Sequence, residues 1–170
     1  MAAGATVLCV ADGEGRNSVW LAARGLQVDA FDISEVGVAK ARVFAAEQGV
    51  DVNYSVAGCD GFDWPQSACD GVAAIFIQFA DPALRERMFQ RMAASLKPGG
   101  TLVLQGYGAK QLECRTGGAG HRLAPVHAAA AARGARRSGD RAAARVRSRT
   151  GRGSRPPGPI ALVGLVARRT

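Results

Sequence analysis

Apolar positions in the first hundred or so residues switch between two periods, and the switches mark the elements. Residues 5–11 (ATVLCVA) form a continuous apolar run and predict a first strand. Gly13 and Gly15 break it, and Val19, Trp20 and Leu21 resume with helical neighbours, predicting a helix over about 15–24 that closes at Gly25. LQVDAFD (26–32) predicts a second strand. Ser34 is placed to cap a helix carrying Val38, Arg42, Ala45 and Ala46, with Gly49 just past its end. VDVNYSV (50–56) predicts a short third strand, and DGVAAIFIQF (70–79) a fourth whose nearly continuous apolar run implies cover on both faces. Asp81 as cap, Pro82 at the first helical position and a stripe of Leu84, Met88, Met92 and Leu96 define the next helix. Pro98-Gly99-Gly100 stops it, and TLVLQGY (101–107) predicts a fifth strand. Strands alternating with helices at this spacing pair in parallel through right-handed crossovers. The expected fold is an α/β, doubly wound, mostly parallel sheet.

The pattern stops at Thr116. Residues 116–158 hold three large apolar side chains (Leu123, Val126, Val146) among 11 Ala, 10 Arg and 8 Gly. That composition does not bury enough surface to offset its ordering entropy. IALVGLVARR (160–169) then reads as a final strand. The chain therefore divides into a core over 1–115, an anomalous segment over 116–158 and a last strand within 159–170. The middle segment lacks Lys, Ile, Phe, Tyr and Trp. It reads either as disordered or as the product of an out-of-frame stretch of GC-rich codons, and the sheet is expected to be incomplete.

Charge sharpens this division. The whole chain of 170 residues carries +8 at neutral pH, yet residues 1–115 hold 10 Lys/Arg against 13 Asp/Glu and 116–158 hold 10 Arg against one acid. The expected folded part is mildly acidic, which argues against nucleic acid as its partner; only the arginine-rich segment, which lacks interleaved aromatics, keeps an RNA-binding alternative open. Four cysteines (Cys9, Cys59, Cys69, Cys114) form no CxxC pair and no zinc spacing, so reduced thiols and no metal are expected. The start lacks a basic leader region, and no run approaches the length of a membrane span. A cytoplasmic protein is expected.

In an open α/β sheet, ligands bind beyond the carboxyl ends of the strands. The residues there are Ala11, Asp12, Gly13 and Gly15 after strand one; Asp32 and Ile33 after strand two; Asp60, Gly61 and Phe62 after strand three; and Gln78 after strand four. Gly13 and Gly15 let backbone approach a ligand, and Asp32, 17 residues after Gly15, can accept ribose hydroxyls. Each has a structural alternative: a tight turn for the glycines, a helix cap for Asp32, an Asp-Gly turn for Asp60. Arg16 and Asn17 reach either the ligand or a neighbouring carboxylate, and Trp20 and Trp64 read as core or pocket wall. A dinucleotide fingerprint would want a third glycine where Ser18 stands, and no P-loop GKS/T follows. An NAD(P)-type protein stays as the alternative.

DGEGRNSVWLAARG, VDAFDIS, CDGFDW and LKPGGTLVLQGYG together resemble the class I S-adenosylmethionine-dependent methyltransferases, most of all small bacterial members akin to tellurite-resistance and thiopurine methyltransferases. The resemblance covers about 5–115 and the final strand. It implies a Rossmann-like fold, S-adenosyl-L-methionine as cofactor and a small-molecule methyl acceptor. It also implies that Gly13 and Gly15 lie under the methionine part, that Asp32 holds the ribose and that Asp60 meets the adenine. It assigns no catalytic side chain. Two departures stand out: Cys9 replaces the usual acid, and Ala11 replaces the first glycine, which is tolerable if Ala11 keeps a negative φ. The helical segment that precedes the first strand in relatives, and closes over the cofactor, is expected to be missing.

Overall fold

The computed structural model describes residues 1–107, 141–145 and 162–169. Among these residues seven strands form one sheet: β1 (Thr6–Val10), β2 (Gln27–Asp32), β3 (Asn53–Val56), β4 (Cys69–Ile75), β5 (Leu96–Tyr107), β6 (Arg141–Arg145) and β7 (Leu162–Arg168), in the order β3-β2-β1-β4-β5-β7-β6. The first five pair in parallel, while β7 runs antiparallel to both β5 and β6. The strand order reverses beside β1, which lies between β2 and β4. Among the described residues three helices, α1 (Arg16–Ala22), α2 (Glu35–Glu47) and α3 (Pro82–Ser95), supply the crossovers from β1 to β2, β2 to β3 and β4 to β5.

Period-2 alternation explains the two-sided core. Leu8 and Val10 of β1 join Val72, Met88, Met92 and Leu104 on the α3 side. Cys9, between them, joins Val19, Val38, Ala41 and Tyr54 on the side of α1 and α2. Strands covered on both faces are mostly apolar, which is what residues 7–11 and 71–75 show. Each fully buried Leu or Val of this kind contributes about 1.5–3 kcal/mol relative to exposure.

The helix starts follow their caps. Ser34 Oγ accepts from Gly37 N at 3.0 Å, and Asp81 Oδ1 accepts from Leu84 N at 2.8 Å, with Pro82 at the first turn. The structure differs from the sequence reading at β5. Its ladder begins at Leu96, opposite Cys69, and passes through Pro98-Gly99-Gly100 with a register shift before Gly71 pairs with Thr101. The glycines bend the strand and do not terminate pairing, because Gly99 N donates to Arg169 O and Arg169 N to Gly100 O. The segment 116–158 also differs where it is described: Arg141–Arg145 forms the edge strand β6. Pairing to β7 there outweighs the poor strand propensity of three alanines. The rest of that segment, with the basic stretch behind the RNA-binding alternative, lies outside the described residues. Among the described residues no helix is long and apolar enough to cross a membrane.

Candidate functional site

At the carboxyl ends of β1, β2 and β4 the structure opens a cleft of about 510 Å³. Ala11, Asp32, Ile33, Asp60 and Gly61 line it, so five of the sequence-derived residues converge. Phe62 lies under its floor, its ring stacked on Phe31 at 4.0 Å, with Trp64 edge-on to both. Trp64 Nε1 donates to Cys59 O at 2.9 Å, fixing this loop to the core. Ile33 (78% exposed), Phe79 (50%) and Phe76 (42%) give the cleft apolar walls open to solvent.

Asp32 ties the first loop to the second. Its Oδ2 accepts from Gly13 N and its Oδ1 from Ser34 N, both at 2.9 Å. The two glycines then part company. A Cβ on Gly13 (φ +63°) would meet nothing within 4 Å, so its face is open. A Cβ on Gly15 (φ +85°) would lie 2.7 Å from the Tyr54 hydroxyl and 2.8 Å from Ala41 Cβ. Gly15 is therefore a packing residue, and Ser18, the residue that breaks the dinucleotide fingerprint, is buried beside it with Oγ 2.8 Å from the same hydroxyl.

Ala11 corrects an expectation. Its φ is +50°, not negative, because the chain must leave β1 in a left-handed turn while Asp12 N still donates to Phe31 O. An L-residue there costs about 1–2 kcal/mol. Asp12 Oδ2 is buried with no hydrogen-bond partner. Burial raises its carboxyl above the usual range, with Ser18 and Asn17 opposing. Cys9 is a buried thiol raised well above its ordinary value by burial first and Asp12 second.

Two further residues sit elsewhere than the sequence suggested. Gln78 does not line the cleft: it is 3% exposed, and its amide donates to Phe76 O at 2.9 Å and accepts from Tyr107 N. That brace holds Phe76 at φ +60°, a strained conformation for an aromatic residue. Trp20 is exposed, with the Arg24 guanidinium 3.4 Å from its ring centre; it is a cation–π partner, not core or pocket wall. Sequence reasoning also missed Arg87 and Arg91 of α3, which bind Asp60. Their i, i+4 spacing is the signal that pairs them on one face.

A family model described as a methyltransferase domain matches residues 7–100, more than half of the chain. The chain belongs to this methyltransferase family. No curated protein sequence matches the methyltransferase. Among solved structures it is similar to a SAM-dependent methyltransferase from Methanosarcina mazei (17% identity, TM-score 0.77, covering 99% of this chain and 94% of that one). It is also similar to the phosphoethanolamine N-methyltransferase 2 of Haemonchus contortus in complex with S-adenosyl-L-methionine (17%, TM-score 0.76, 99% and 49%). A third neighbour is the [4+2]-cyclase SpnF (18%, TM-score 0.77, 99% and 76%). At these identities the likeness shows the fold. The methyltransferase family sets aside the dinucleotide-dependent alternative.

Proposed function

We propose that the chain transfers a methyl group from S-adenosyl-L-methionine to a small-molecule nucleophile, as in the tellurite-resistance and thiopurine group that its GEGRN and LKPGG motifs resemble. The observation that carries the reading is the convergence of Asp32 and Asp60 on one cleft beside the open face of Gly13. A carboxylate offers about four acceptor directions. Asp32 uses one on each oxygen, for Gly13 N and Ser34 N, and keeps one on each for the two hydroxyls of a ribose. Asp60 faces the adenine, Ile33 and Gly61 flank it, and Phe62 supports the floor from below. The backbone of Ala11, Asp12 and Gly13 lies beside the methionine part, and the buried unpartnered oxygen of Asp12 suits a cationic group there.

When bound, the cofactor supplies an electrophilic methyl on a sulfonium. The protein's part is alignment and exclusion of water, worth several kcal/mol without any acid–base residue. Ile33, Phe76, Phe79 and Leu84 provide the apolar walls for that exclusion.

S-adenosylhomocysteine should raise the melting temperature, by about 2.7 kcal/mol of stabilisation at 100 times its Kd, and NAD should not. Asp32→Ala should leave the fold intact and weaken that binding tenfold or more, since two hydrogen bonds to a charged acceptor are lost. Stabilisation by NAD alone, or unchanged affinity in the folded variant, overturns the reading.

A further inference from the structure

Asp60 is held by two guanidiniums of α3. Its Oδ1 accepts from Arg87 Nε at 3.1 Å and Arg91 NH1 at 3.0 Å, and its Oδ2 accepts from Arg87 NH2 at 2.8 Å. Arg91 NH1 also donates to Cys59 O at 2.6 Å, the carbonyl that already takes the Trp64 indole. Three of the four acceptor directions of the carboxylate are therefore filled, and the fourth, on Oδ2, is left for a ligand. Planar guanidinium forks fix orientation as well as charge, which a lysine does not do.

Resting on the function proposed above, we infer that Arg87 and Arg91 are positioning residues that make Asp60 a single-acceptor reader of the cofactor's base. One remaining acceptor on an ionised carboxylate accepts an exocyclic amino group and repels a carbonyl. The cleft consequently distinguishes adenine from hypoxanthine, and helix α3 sets that selectivity without touching the ligand. The arginines hold the Asp60 carboxyl below the usual range, so the reader stays ionised at neutral pH.

The inference differs from a purely structural role of the two arginines in what it changes. A structural role would lower stability and weaken all ligands alike. A positioning role changes the ratio of two ligands that differ only at the base.

The test is calorimetric titration of the full chain with S-adenosylhomocysteine and S-inosylhomocysteine. The wild type should prefer the adenine form by about tenfold or more, the size of one hydrogen bond to a charged group. Arg87→Met and Arg91→Met should each cut that ratio about threefold or more, and Arg91→Lys should retain more of it than Arg91→Met. Because the pair is half-exposed, these factors are smaller than a buried pair would give. A wild-type preference that survives unchanged in both methionine variants overturns the inference and leaves the proposed function standing. Equal binding of the two ligands by the wild type overturns it as well. Failure of the wild type to bind S-adenosylhomocysteine removes the function on which it rests.

Discussion

Three glycines allow the packing and strain contributions of the first loop to be separated. Gly13, Gly15 and Gly49 all have left-handed φ (+63°, +85° and +65°), but only Gly15 is hemmed in. Replacing Gly49 by Ala adds a Cβ to open space, far from the cleft, and so measures backbone strain alone. That strain is about 1–2 kcal/mol, and the alanine recovers about 0.4–1 kcal/mol by restricting the unfolded chain, leaving a net loss of about 1 kcal/mol. Gly13→Ala has the same geometry and should lose the same amount. Gly15→Ala carries that cost and must also displace the Tyr54 hydroxyl and Ala41, whose Cα lies 3.1 Å from the new atom and belongs to backbone. Overpacking of this kind adds about 1–3 kcal/mol, for a total of about 2–4 kcal/mol. Urea denaturation with a shared m-value gives the three losses directly. In a domain of this size they correspond to melting shifts of about 2–4 °C for the open positions and roughly 5–15 °C for Gly15. If Gly15→Ala unfolds at the same urea concentration as Gly49→Ala, the close approach of α1 to Tyr54 and Ala41 is not a constraint, and the assignment of Gly15 to packing fails.

Ala11→Gly should relieve the strain at φ +50° while enlarging the freedom of the unfolded chain, for a net gain of up to about 1 kcal/mol by denaturant titration; a destabilised variant would show that the left-handed turn is absent. Asp70 accepts from Thr6 N at 2.9 Å and from Lys97 Nζ, and these contacts lower its carboxyl below its ordinary value. A depressed folded-state value means that the contribution is complete above the unfolded-state value near 4 and is lost as pH falls through the acid range below it. Asp70→Asn should therefore flatten the stability profile below about pH 4, with little change in its shape from pH 6 to 8; an unchanged acid limb refutes the contact.

What the sequence makes legible is governed by range. The α3 helix is written locally: Asp81, Pro82 and the Leu84–Met88–Met92 stripe are neighbours in the chain, and each behaves as its type dictates. The cleft's location follows from topology, so Ala11, Asp32, Ile33, Asp60 and Gly61 were recoverable once strands and helices had been counted. Properties that depend on distant partners were not. Asp60 gives no sign in CDGFDW that its acceptor directions are spent on residues 27 and 31 positions away. Gln78 lies between two exposed phenylalanines, Phe76 two residues before it and Phe79 one after, yet turns inward because two backbone groups need its amide. The sign of φ at Ala11 depends on the path from β1 to α1, and no side-chain pattern encodes it.

The position of β7 bears on how the molecule is made. Residues 162–168 lie between β5 and β6, with Leu165 and Ala167 buried and Arg169 bonding Ser67 Oγ and the carbonyls of Ala94 and Leu96. A ribosome emits β5 more than fifty residues before β7, a delay of roughly 3–10 s at ordinary elongation rates. Through that interval the backbone groups of β5 from Thr101 to Tyr107 that pair with β7 lack that partner, and such an edge is open to pairing with a neighbouring nascent chain. Slow completion of the sheet thereby becomes a route to association between chains that the finished fold, with β7 in place, closes.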